Sequence, residues 1–118
     1  MNQPRPTPEL VSIIMPAYKA AETLEKAVNG ILAQHHPHWE LLLLLDGPND
    51  AERELANRLS ACDPRIRLVV SAKNRGVIRA RNIGTRLSKG DWVAFCDADD
   101  FWHPQKLKLQ LAAATSMA

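Results

Sequence analysis

Apolar and polar positions follow two rhythms along this chain, and the rhythms take turns. Residues 10–15, "LVSIIM", form a short β-branched run closed by Pro16, the pattern of a buried strand. Residues 22–34 then place Leu24, Ala27, Val28, Ile31 and Leu32 along one face of a helix. Glu22 and Glu25 fall in its first turn, where the helix dipole favours acids. "WELLLLL", residues 39–45, predicts a second strand, and "DGPND", residues 46–50, a turn. Residues 50–61 repeat Ala51, Leu55 and Leu59 at helical spacing, and "IRLVVS", residues 66–71, predicts a third strand. Val77, Ala80, Ile83 and Leu87 make a third helical stripe, and "DWVAFC", residues 91–96, a fourth strand. Pro104 suits the first turn of a last helix carrying Leu107 and Leu111.

The order is therefore βαβαβαβα. Strands this apolar, joined by helices, imply the α/β class: a mostly parallel, Rossmann-like sheet covered by helices on both faces. In such sheets ligands bind outside the carboxyl ends of the strands, where the strand order switches direction. The positions just after each strand are residues 16–18, 46–47, 71–74 and 97–100, and they are the polar, unusual positions of the chain. They are expected to converge on one edge.

One of those segments carries an unusual charge density. "FCDADDFW" sets Asp97, Asp99 and Asp100 within four residues, directly after an apolar run. Carboxylates about 5 Å apart repel by roughly 3 kcal/mol at an effective dielectric near 20. Such a cluster fits a solvated acidic turn, or a site that takes a cation. The glycines, at 30, 47, 76, 84 and 90, form neither a dinucleotide fingerprint nor a Walker loop. A phosphate ligand would have to be held another way, and a divalent cation bridging carboxylate and phosphate oxygens suits the aspartates.

Composition narrows the classes without choosing one. The chain has 118 residues, 46% hydrophobic and 24% charged, enough for one domain with a real core. A net charge of +2 does not argue for nucleic acid or a membrane surface. Cys62 and Cys96 offer neither zinc spacing nor a disulfide framework, and read as reduced thiols of a cytoplasmic protein, Cys96 buried. "LLLLL" is far short of the roughly 20 residues that span a bilayer. Residues 1–9, with three prolines and no apolar signal region, read as a flexible leader.

Taken together, "VSIIMPAYKAAETLEKAVNGILAQHHPHWELLLLLDG" and "NRGVIRARNIGTRLSKGDWVAFCDADDFWHPQKL" resemble the nucleotide-sugar half of family 2 glycosyltransferases of the GT-A fold. The resemblance runs over residues 10–111, inside a donor-binding portion set at 10–118. It implies transfer of a sugar, usually from a UDP-sugar, with inversion at the anomeric carbon. Pro16, Ala17 and Tyr18 match the loop that walls the base, and Asp46 the aspartate that reads it. "NRGVIRARN", with Asn74, Gly76, Arg79 and Arg81, matches the segment that closes over the uridine. Asp97 and Asp99 match the DxD element, Asp97 toward the ribose and Asp99 to a metal on the diphosphate. Asp97 is counted with Asp99 toward that metal, and hard oxygen ligands suit Mn²⁺ or Mg²⁺. One residue between the two aspartates would let a strand-like stretch point both carboxylates to one side.

The chain also departs from the family. Lys19 stands where asparagine is common, and "LDGP" replaces "DDGS", so Leu45 loses an acid and Pro48 a hydroxyl. The resemblance places the general base and the acceptor site C-terminal to the DxD element, so the base is expected beyond Ala118. The acceptor, a saccharide or a lipid-linked one, is left open, with a location in the cytoplasm or at the inner face of the membrane. A sugar-nucleotidyltransferase would want a glycine-rich loop where "PAYK" stands, and a DxD phosphatase would want its pair after the first strand. A non-catalytic nucleotide-binding fragment is the remaining alternative. "HHPH", residues 35–38, sits in a helix-to-strand loop away from the aspartates, and Trp39, Trp92 and Trp102 are expected to pack. An apolar fourth strand at the sheet edge would invite a second copy, through that strand or the last helix.

Overall fold

Short apolar runs bounded by turn residues suit strands covered on both faces, and the computed structural model places Val11–Ala17 and Trp39–Asp46 so. It describes residues 9–117, so the expected leader falls, apart from Glu9, outside the described residues. The order is β1 (Val11–Ala17), α1 (Leu24–Leu32), β2 (Trp39–Asp46), α2 (Asp50–Cys62), β3 (Ile66–Ser71), α3 (Val77–Leu87), β4 (Trp92–Phe95) and α4 (Lys106–Met117). All pairings are parallel, in the order β3-β2-β1-β4. Direction switches between β1 and β4. That is where the sheet opens.

Alternation along β1 and β2 sorts the core into two faces. Ile13, Met15, Trp39, Leu41, Leu43 and Leu45 point to the side of α1 and α2, in the larger apolar cluster that Leu107 of α4 joins. Ile14, Leu42 and Leu44 point the other way and meet Ala80 of α3. Gly84 lets α3 lie directly on the sheet, since a Cβ there would sit 2.6 Å from Ile14 Cγ2. Gly30 lets the segment between β4 and α4 lie directly on α1, since a Cβ there would fall 3.1 Å from the Trp102 backbone nitrogen.

Three expectations need correction. The α3 face is not covered over β4, leaving Val93 and Phe95 at 41% and 50% exposure. Trp92 is exposed too, its ring nitrogen donating to Glu9 Oε2 at 2.9 Å, whereas Trp39 and Trp102 are buried. Helix α1 starts at Leu24 and α4 at Lys106, so Glu22 and Pro104 stand just outside them. The chain between β4 and α4 descends along α1, where the Gln34 amide donates to the carbonyls of Gly30 and His103.

The α3 face carries a buried acid at its amino end. Glu40, 8% exposed, accepts from Ser12 Oγ at 2.6 Å, the Lys89 backbone at 2.6 Å and Arg67 Nη1 at 3.1 Å. Burial pushes its carboxyl up, but the Ser12, Lys89 and Arg67 donors together outweigh burial and hold it below the ordinary glutamate value. A carboxyl lowered on folding stabilises the fold above its unfolded pKa and loses that contribution as pH falls through the folded value. Glu40→Gln is therefore expected to cost about 1–3 kcal/mol in urea unfolding at neutral pH. The difference between the two proteins should shrink as pH is taken below about 4.3.

Candidate functional site

At the carboxyl edge, β1 outruns its neighbour. The β1–β4 register ends at Ile14 opposite Phe95, with the Cys96 amide donating to the Ile14 carbonyl at 3.0 Å. In a parallel ladder, residue i+2 presents its groups to the same side, so Pro16 faces β4 where β4 has already turned away. Proline has no N–H to leave unpaired there. Pro16 and Ala17 continue β1 beside Leu44 and Leu45 of β2, instead of opening a loop after Met15. A crevice between β1 and β4 follows directly from these residues.

The first wall of the crevice is the end of β1. Ala17 is packed in the core, Pro16 is half-buried, and Tyr18 is 48% exposed at the rim. Lys19 then turns the chain with φ at 51°, a left-handed conformation that asparagine tolerates better than lysine. The loop is fastened from α2, where buried Glu52 accepts from the Ala20 amide at 3.3 Å. Asn49 caps that helix through Glu52's own amide at 2.8 Å. Glu52 was not singled out by the sequence reading. Its burial comes from tertiary packing, and an acid in a first helical turn looks the same when solvated.

The second wall is held by Asp46. Its Oδ1 accepts from the Arg75 backbone at 2.7 Å and its Oδ2 from the Gly76 backbone at 2.9 Å. Asn74 Oδ1 adds a second acceptor for Gly76 at 3.1 Å. Gly76, at φ +97°, and Gly47, at φ +65°, both need the left-handed region. A Cβ on Gly47 would also lie 2.7 Å from the Asn74 nitrogen, so the turns after β2 and β3 touch. Asp46 is only 5% exposed, so it positions residues 74–76 whatever else it contacts. Beside it, Arg75 and Arg79 overhang a small hollow of about 70 Å³ lined by Leu44, Val69 and Ile83.

The third wall is the aspartate segment. It is a turn, closed by the Asp100 amide on the Asp97 carbonyl at 3.0 Å, and not the strand-like stretch expected. Ala98 points into the core while Asp97, Asp99 and Asp100 are exposed. Arg81 crosses from α3 to Asp97, Nη2 to Oδ1 at 3.3 Å. Cys96, between the acids and the core, is no nucleophile: burial, helped by Asp100 and Asp97, pushes its thiol up to about 12.

The structure thus forms two groups of the expected residues, Asp46 with Asn74 and Gly76, and Asp97 with Arg81. They sit on one edge with Tyr18. Among the described residues no three His, Cys, Asp or Glu side chains converge as a metal cage. Three exposed carboxylates on one turn suit instead a hard cation shared with a ligand's phosphates. The histidines lie at the amino end, where the His38 carbonyl accepts from Val11 and His36 Nε2 meets the Glu9 carbonyl at 2.8 Å. Among the described residues, no helix is long and apolar enough to cross a membrane.

Comparison with known proteins agrees with this geometry. A family model described as "Glycosyl transferase family 2" matches residues 12–117. The chain is 39% identical over 102 residues to the putative teichuronic acid biosynthesis glycosyltransferase TuaG of Bacillus subtilis, covering 86% of this chain and 40% of that protein. It is 37% identical over 103 residues to the UDP-Glc:alpha-D-GlcNAc-diphosphoundecaprenol beta-1,3-glucosyltransferase WfgD of Escherichia coli, covering 87% and 40%. Among solved structures, S. aureus TarS 1-349 in complex with UDP superposes with a TM-score of 0.79 at 22% identity, over 86% of this chain and 31% of that one. The mannosyltransferase PcManGT of Pyrobaculum calidifontis, in complex with GDP-Man and Mn2+, gives 0.76 at 27% identity, over 87% and 31%. The fold is the GT-A fold, and the chain spans about two-fifths of the length of these curated relatives.

Two expectations follow from the walls. Asp46→Asn turns one acceptor oxygen into a donor facing a backbone N–H. It is expected to cost about 1–3 kcal/mol and to speed amide exchange at Arg75 and Gly76. Lys19→Asn relieves the left-handed residue and should raise stability by about 0.5–1 kcal/mol in the same unfolding assay.

Proposed function

The chain belongs to glycosyl transferase family 2, and from that premise we propose that it is the donor-binding part of an inverting, UDP-sugar-dependent glycosyltransferase. The observation that carries this reading is the crevice at the β1–β4 switch point, with the Asp97–Asp99 turn on one side and the Asp46-held segment on the other. The position is where open parallel sheets take nucleotides.

On this reading Tyr18 and residues 74–76 flank the base, and Asp46 keeps the second of these walls in place. Arg79 and Arg81 offer guanidinium groups toward phosphate, which suits their planar forks. Asp97 lies toward the ribose and, with Asp99, would hold a Mn²⁺ or Mg²⁺ ion. A cation there would supply neutralisation of the charge that grows on the departing diphosphate. The residues of this chain bind and orient the donor. Deprotonation of the acceptor hydroxyl is assigned to a residue outside these 118. The printed name of the WfgD relative includes a diphosphoundecaprenol acceptor, which supports a lipid-linked acceptor and a site at a membrane surface.

Calorimetry on the 118-residue chain tests the reading. UDP with Mn²⁺ is expected to give binding heat, and Asp99→Ala to weaken binding by about tenfold or more. Absence of heat with the wild type would sink the donor assignment, and unchanged heat with the variant would sink the metal assignment.

A further inference from the structure

The aspartate assigned to ribose and cation already has a cationic partner. Arg81 Nη2 donates to Asp97 Oδ1 at 3.3 Å, and the Arg81 guanidinium carbon stands 5.5 Å from the centre of the Phe95 ring. The Arg81 and Asp97 side chains are 41% and 61% exposed, so water screens the pair and its bond is long. At the same time Arg81 Nε is shut off from solvent without a hydrogen-bond partner. The guanidinium is therefore loosely held at its outer edge and unsatisfied at its inner one. Such a group gains by exchanging one acceptor for a ligand that offers several.

Arg81 is set apart from its neighbours on α3. Ala80 and Gly84 lie on the sheet, which fixes the helix and turns Arg81 along the flank above Phe95. Arg79 overhangs the hollow beside Asp46, and Arg86 is exposed in the last turn. Arginine keeps its charge across physiological pH, so protons do not control this contact. Other ions do. A guanidinium and a divalent cation both seek Asp97 Oδ1, and each weakens the other's hold on it.

We propose that Arg81 couples cation and donor binding by exchanging Asp97 for the donor's diphosphate. The proposal rests on the donor-binding reading above and adds a linkage to it. A cation on Asp97 releases the guanidinium fork toward phosphate oxygens, and a diphosphate drawing the fork away frees Asp97 for the cation. Because the coupling is a free energy between two sites, each ligand raises the affinity of the other by the same factor.

The test is a titration of Mn²⁺ alone, followed by electron paramagnetic resonance of the free ion, and of UDP at saturating Mn²⁺ by calorimetry. Arg81→Gln removes the competitor and the phosphate ligand together, so its two effects have opposite signs. Mn²⁺ alone should bind several-fold more tightly than to the wild type, while UDP affinity falls about tenfold. Arg86→Gln removes the same charge from the same helix and should change neither affinity more than about twofold. Arg81→Lys keeps the charge without the fork, and should lose UDP affinity while leaving Mn²⁺ affinity near that of the wild type. Should Arg81→Gln not fold, the lysine variant decides alone: full UDP affinity in it overturns the proposal. Unchanged Mn²⁺ or UDP affinity in Arg81→Gln, or an equal shift in Arg86→Gln, overturns the linkage but leaves the donor site standing. No UDP binding by the wild type overturns the donor reading and the linkage with it.

Discussion

Four strands that run the same way must each be reached by a crossover, so all four leave the sheet at one edge. That constraint organises everything else in this chain. It brings the ends of β1, β2, β3 and β4 together although they are spread from Ala17 to Phe95 in sequence. It also removes the hairpins that would otherwise pair the polar groups at those ends. The turns must satisfy each other, and Asp46 does this for residues 75 and 76, as the Ser71 carbonyl does for the Gly47 amide at 2.9 Å. The exception is the β1–β4 side, where Pro16 has no donor and the ladder stops. The crevice is what remains when that pairing ends early.

Strand β2 contributes a second level of order through two acids on its α3 side. Glu40 and Asp46 are six positions apart on an alternating strand, so both face α3. Along a strand that separation is about 20 Å. An 11-residue helix such as α3 is about 16 Å long. The two carboxylates therefore reach past both ends of the helix. Asp46 holds the backbone just before it, and Glu40 holds Lys89 just after it while its partner Arg67 also donates to the Leu87 carbonyl at 3.2 Å. Between them Gly84 and Ala80 set the distance from the sheet. The placement of Arg81 beside Asp97 thus depends on residues that hold the helix and not the guanidinium.

Much of this was legible because the signals are local. Each apolar run became a strand and each helical stripe a helix, since run length, flanking turn residues and period separate the two. The edge carrying Asp46, Asn74 and Asp97 followed from the element order alone. Strand ends were less legible: Pro16 looks like a stop, and only the early departure of β4 lets it continue β1. The shape of residues 97–100 was also hidden, because Asp-Ala-Asp spacing serves a strand or a turn equally. Glu40, Glu52 and Gln34 show the other limit. Their partners lie 28, 32 and 69 residues away, and a single acid or amide at a helix or strand position carries no mark of such a partner. Lys19 is the reverse case, since its departure from the family's asparagine marks the left-handed turn now seen there.

The commitments of the individual side chains bear on what this edge can do. Asp46 spends both oxygens on backbone amides, and Asp97 shares one with Arg81. Cys96 stays protonated because its thiol is buried beside acids. Asp99 and Asp100 stand exposed on a turn, where a carboxylate can ligate a hard cation. On the donor-binding reading, such groups would hold a donor and stabilise charge leaving it. Activating a second substrate requires a base within reach of its hydroxyl, and on this reading the carboxylates of the edge are engaged with backbone amides, with Arg81 or with the cation. On the donor-binding reading, the division between holding the sugar nucleotide and activating the acceptor follows from the chemistry of the edge itself.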